Sequence, residues 1–148
     1  MMSEIFTFHL RWFKSRPTAE ILRNGKPFWE ELPWAKDHFS FGRRKAILLL
    51  SCLDTIRAFH DSDGVQPGPE EEKTTRNMET LKEIKIRYFN GFKLHGNWVD
   101  RPHLMVVENQ IRIGLGMMKA RAILELEGEI IRFVDDTKVL YPMNRPKP

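Results

Sequence analysis

The chain has one cysteine, Cys52, among its 148 residues. A single thiol excludes an internal disulfide and any Cys-x-x-Cys motif, and it fits a reducing compartment. Its setting, Leu-Leu-Ser-Cys-Leu, reads as that of a small buried hydrophobe rather than a reactive group. Long apolar runs are also missing. The longest, Ala46–Leu50, stops at Ser51, far short of the roughly 18 residues of a membrane span. The opening Met1-Met2-Ser3-Glu4 lacks the basic start and apolar segment of a secretory signal, so a cytoplasmic protein is expected.

Signatures of chemistry are equally scarce. The histidines are His9, His38, His60, His95 and His103, and no two are four residues apart as in a helical zinc site. Phosphate-cradling patterns of the Gly-x-x-x-x-Gly-Lys or Gly-x-Gly-x-x-Gly type do not occur. Gly114-Leu115-Gly116 is a fragment outside a strand–turn–helix context. Gly-x-Ser-x-Gly is absent as well. No catalytic residue, metal or cofactor is therefore expected. Two polar groups are the exceptions to weigh. Glu83-Ile84-Lys85, with Asp54, Asp61 or Asp63 upstream, is the kind of set in which carboxylates hold magnesium and a lysine helps activate water. It reads more simply as a charged pair on an exposed strand. His60-Asp61-Ser62-Asp63 is explained by turn chemistry before a Gly/Pro-rich loop.

What is present is an ordinary globular composition, 41% hydrophobic and 30% charged, at a length suited to a single domain. The net charge of +4 is unevenly spread. Residues 46–72 carry one base and six acids, residues 73–121 ten bases and four acids, and residues 1–45 nine bases and five acids. Such asymmetry can steer a polyanion or an acidic protein surface toward one region; a solvated surface of mixed sign is the plainer reading.

Patterning is mostly of period two. Ile5–Phe13 alternates, with Phe6, Phe8, Leu10 and Trp12 on one side and Thr7, His9 and Arg11 on the other, which predicts a half-buried strand. Pro17 and Gly25 bracket Thr18–Asn24 as a two-turn helix. Lys45–Leu53 reads as a buried strand, turning at Asp54-Thr55 into a second at Ile56–His60. Leu81–Tyr88 alternates again, and Asn90-Gly91 predicts a type I′ turn that returns Phe92–His95 as its hairpin partner. Leu104–Val107 and Gln110–Leu115 are two further strands. Residues 117–134 read as a hairpin turning at Glu127-Gly128, although Met117–Ala122 would also suit a helix. Residues 61–77 read as a mobile polar loop and residues 141–148, with three prolines, as an extended tail. The aromatic segment 28–41 could be core or a docking surface. The expected fold is α+β and mostly β: an antiparallel sheet or open barrel of short strands with one or two short helices.

Bases and aromatic residues interleave in several places. Arg43-Arg44-Lys45 is the densest basic run. Lys85, Arg87 and Lys93 surround Asn90-Gly91 near Tyr88 and Phe89, and Trp98 and Arg101 follow; His9 and Arg11 stand beside Trp12. Cations bind phosphates and aromatic planes accept unpaired bases, a combination that can hold single-stranded RNA. No RNP1-type run or Gly-x-x-Gly clamp accompanies it. RNA and other subunits of a larger complex are the expected partners, with no membrane. A protein–protein adaptor or virion component acting without nucleic acid is the alternative.

Three blocks carry a family resemblance: Ala46–Phe59 (AILLLSCLDTIRAF), Leu81–Trp98 (LKEIKIRYFNGFKLHGNW) and Ile123–Asp136 (ILELEGEIIRFVDD). They resemble the small accessory subunit of type III-D CRISPR effector complexes. The resemblance implies a non-enzymatic, RNA-contacting subunit held among repeated backbone subunits around a guide RNA. Residues 26–42 and 61–77 lie outside it, and it carries over no individual site residue.

Overall fold

A computed structural model describes residues 4–14, 16–28, 38–66 and 72–138. They form two compact units. The first takes Met1–Ala46 and Glu125–Pro148, the second Ile47–Leu124. The class is the expected one, α+β and rich in antiparallel strand, with three open sheets and four helices among the described residues.

In the first unit, β1 (Phe6–Phe13) pairs along its whole length with β2 (Arg16–Arg23), and β2 continues to the two-residue β3 (Ser40–Phe41). The segment expected to be a short helix is thus β2. Pro17 is tolerated because it stands at the start of the strand. Gly25 does not cap a helix. Asn24 and Gly25 have φ of +52° and +78°, the two left-handed residues of a type I′ turn, and Arg23 and Lys26 exchange backbone hydrogen bonds across it. The final helix of the described chain, α4 (Glu127–Thr137), replaces the expected strand at Glu129–Val134. Ile130, Phe133 and Thr137 recur at helical spacing and are buried.

The core of this unit is a run of phenylalanines. Phe6 stacks on Phe28, Phe28 meets Phe39 edge-on at 5.2 Å, Phe39 touches Phe41, and Phe41 and Phe8 both reach Phe133. Such ring pairs contribute about 0.5–1.5 kcal/mol beyond the area they bury. Within segment 28–41, Phe28, Phe39 and Phe41 are therefore core, while Trp29 and Trp34 lie outside the described residues.

The second unit opens on helices where strands were expected. Helix α1 (Arg43–Ser51) begins in the first unit, and α2 (Leu53–Asp61) follows it after Cys52 alone. Ala46–Leu50 is buried on every side, so its sequence shows no amphipathic stripe. Then β4 (Glu72–Arg76), β5 (Glu83–Phe89), β8 (His103–Glu108) and β9 (Ile111–Gly116) form an antiparallel four-stranded sheet in that order. Between β5 and β8 the chain makes a separate hairpin, β6 (Phe92–Leu94) and β7 (Asn97–Val99). Phe92–Leu94 pairs with β7 and not with β5 as the Asn90-Gly91 reading required. The tight turn is His95-Gly96, with φ of +51° and +82°. Part of the expected loop 61–77 is also ordered as β4. Residues 67–71 and the tail 141–148 lie outside the described residues. Helix α3 (Met117–Glu125) replaces the first arm of the hairpin expected over 117–134.

Candidate nucleic-acid interface

Alternation gives the four-stranded sheet two unlike faces. On one, Ile84, Ile86, Leu104, Val106 and Leu115 are buried, and α2 packs there through Phe59, whose ring lies 6.2 Å from that of Tyr88. Tyr88, counted among candidate stacking residues from sequence, belongs to this covered face, where its hydroxyl donates to the Gly64 carbonyl at 2.7 Å. The buried polar pair here is satisfied: Asn77 Nδ2 donates to Glu108 Oε2 at 2.8 Å, while Asn77 Oδ1 accepts the N–H groups of Glu79 and Thr80. Cys52 is buried as expected. Burial, reinforced by the Glu108 carboxylate, pushes its thiol up to about 12, so it is protonated at neutral pH.

The opposite face is open, and strand register sets its composition. One cross-strand row runs Thr74, Lys85, Val107, Arg112; the next runs Glu72, Arg87, Met105, Gly114; a third joins Phe89, His103 and Gly116. Lys85, Arg87 and Arg112 are exposed, while Phe89 and His103 are half-buried. The Phe89 and His103 rings stack at 5.1 Å with planes 13° apart, and the Arg87 guanidinium lies 5.3 Å from the Phe89 centroid. Phe92 meets His103 edge-on and joins the sheet to the hairpin. Arg87 also lies 3.9 Å from Glu72, but both side chains are about half exposed, so this pair is weak and readily exchanged.

On the hairpin, Lys93 and Trp98 are cross-strand partners and both are exposed. The Trp98 indole N–H donates to Asp100 Oδ1 at 2.7 Å. Exposed Arg101 follows directly. The structure thus has Lys85, Arg87, Phe89, Lys93, Trp98 and Arg101 in the second unit, beside Phe92, His103 and Arg112. Sequence reasoning missed His103 and Arg112 because their membership depends on register. The alternation around Arg112 was visible, but its partner strand was not.

The basic run at Arg43 is different. It forms the first turn of α1, and Arg43 is only 7% exposed, its Nε donating to the Val134 carbonyl at 3.4 Å. Arg43 is thus a structural residue of the first unit; Arg44 and Lys45 are exposed. Arg11 is likewise engaged, its Nε donating to Glu20 Oε1, while His38 Nδ1 donates to Glu20 Oε2 at 3.0 Å. The carboxylate set considered for magnesium is not assembled. Glu83 is on the open face, beside a polar depression of about 400 Å³ lined also by Thr74, Thr75 and Arg76, whereas α2 with Asp54 and Asp61 packs on the other face.

Compared with known proteins, the chain matches no family model, no curated protein and no solved structure. No helix among the described residues is long and apolar enough to cross a membrane.

Proposed function

We propose that the protein is a non-catalytic, RNA-contacting subunit of a ribonucleoprotein assembly, with the open face of the four-stranded sheet and the β6–β7 hairpin as its RNA surface. The observation that carries this is that exposed Lys85, Arg87 and Arg112 share one face of the sheet with the half-buried, stacked Phe89–His103 pair. Cations there neutralise phosphates and ring planes accept splayed bases, the mode by which sheets bind single-stranded RNA. The assembly is proposed to be of the type III CRISPR effector kind named by the resemblance. Only the second resembling block is strand and hairpin. The first and third fold mainly as paired helices, so the proposal rests on the face rather than on those blocks.

The test replaces Lys85, Arg87 and Lys93 together with alanine and follows a labelled single-stranded RNA by anisotropy across a salt series. Removing one phosphate-binding cation from a single-strand site flattens the log affinity against log salt slope by about 0.7, so removing three flattens it by roughly two. An unchanged slope removes this face from RNA binding. A second reading, a protein–protein adaptor, is favoured by Leu10 and Trp12. They share one side of β1 and are each 57% exposed. Under that reading RNA binding is negligible in wild type and triple variant alike, and Trp12→Ala releases the protein partner.

A further inference from the structure

Trp98 is both exposed and held in place. The residue is 57% exposed, so it contributes little to a core. Yet it is fixed at two points. The indole N–H is committed to Asp100, and the ring lies against the backbone at Gly91. A Cβ at Gly91 would collide with the Val99 carbonyl oxygen and come within 2.8 Å of Trp98 Cζ2, so this seat exists only for glycine. A large ring that is pinned but left in water is preorganised for a planar ligand, because little rotamer freedom remains to be lost on binding.

Charge selects the ligand. From residue 85 to residue 103 the chain carries four cations, Lys85, Arg87, Lys93 and Arg101, against one carboxylate, Asp100, and that carboxylate already accepts the indole proton. Lys93 stands directly across the hairpin from the ring. With its N–H engaged, the indole has no donor to offer a base edge; what it offers is a π-face, which every base can use.

We infer that Trp98 is a stacking platform for one unpaired nucleobase of a single-stranded RNA, with Lys93 holding an adjacent phosphate. This deepens the RNA-contacting reading above and rests on it. The site discriminates strandedness rather than sequence: a base within a duplex keeps its own stacking neighbours and presents no free face to the ring.

The experiment titrates the full chain with oligouridylate, oligoadenylate and a blunt RNA duplex. Trp98→Ala is expected to weaken both single strands about tenfold or more, the loss of one base–aromatic stack, while leaving the salt slope unchanged because every phosphate-binding cation is kept. Trp98→Phe, which keeps a ring, is expected to weaken them less, and duplex affinity is expected to move with neither variant. The emission difference between wild type and Trp98→Phe isolates Trp98 from the other three tryptophans, and oligouridylate should quench it. Wild-type affinity in Trp98→Ala, together with an unquenched Trp98 signal, overturns the platform; the RNA-contacting reading survives if the Lys85/Arg87/Lys93 variant still shows its slope change. Equal loss of single-strand and duplex affinity in Trp98→Ala also overturns it. Wild type that binds no RNA at low salt removes both, and a partner protein that quenches Trp98 in its place assigns the surface to the adaptor reading.

Discussion

The two units use aromatic residues in opposite ways. In the first, Phe6, Phe28, Phe39, Phe41 and Phe133 are buried and touch in sequence, so the rings are the core. In the second, the sheet's buried side is largely aliphatic, built from Ile84, Ile86, Leu104, Val106 and Leu115, while Phe89, Phe92 and Trp98 gather with basic residues on the open face and hairpin. The same residue type is cohesive in one place and available in the other. Composition cannot distinguish these uses; register and the side on which a helix packs can.

The largest effect that would break this comparison comes from truncating one ring on each side of it. Phe28→Ala removes a fully buried ring and is expected to destabilise the protein by about 3–5 kcal/mol, whereas Phe89→Ala, half-buried on an open face, should cost about 1 kcal/mol. Urea unfolding of both variants decides it: equal losses would make Phe89 a core residue. Gly91→Ala sharpens the comparison at the hairpin. The added Cβ would collide with the Val99 carbonyl oxygen whatever the Trp98 ring does, so the hairpin backbone must shift, at an expected cost of about 1–3 kcal/mol. A thermal melt with the tryptophan emission maximum tests this, and an unshifted Trp98 emission would show that the ring does not need its glycine seat.

The smallest effect probes the interior of the second unit through buried Cys52. Its folded thiol is pushed from 9.0 to about 12, chiefly by burial. Below pH 9 both states hold the proton and the group adds no pH dependence. Above pH 9 the unfolded chain ionises while the folded chain does not, so stability falls as pH rises toward 12, by at most about 1.4 kcal/mol per unit. Urea midpoints at pH 8 and pH 10 should therefore drop further in wild type than in Cys52→Ala; identical drops would mean that water reaches the thiol.

Much of the β-structure could be read from alternation. Ile5–Phe13, Leu81–Tyr88, Leu104–Val107 and Gln110–Leu115 are strands within a residue or two of where period-two patterning put them. Apart from Met117–Ala122, which also suited a helix and begins α3, the helices were not legible, for two physical reasons. Ala46–Leu50 is apolar all round because that stretch of α1 is buried all round, and a run without periodicity resembles a buried strand. The usual start signals are also missing. Cys52 and Leu126 occupy the N-cap positions of α2 and α4 without a capping side chain, because each helix follows another after that one residue. Asn-Gly occurs twice in the chain. At Asn24-Gly25 it makes the type I′ turn; at Asn90-Gly91 glycine is needed for the close approach of the Val99 carbonyl and the Trp98 ring instead. Of the candidate site, Lys85, Arg87, Lys93, Trp98 and Arg101 were singled out by charge and aromatic interleaving. Arg43 was misplaced because its burial against the Val134 carbonyl joins distant parts of the chain.

The second unit is one uninterrupted stretch, Ile47–Leu124, whereas the first is assembled from both sides of it. On a ribosome, β1 and β2 therefore emerge first, but Ile130 and Phe133 of their core arrive only after the whole four-stranded sheet has been made. Until then Phe6, Phe8 and Phe41 lack the Phe133 ring that they or their neighbours pack against. Joining these ends also closes a long loop, an entropy cost that falls once the intervening stretch has already folded. The order of synthesis and the order of completion thus run in opposite directions along this chain, and the half translated first is the half finished last.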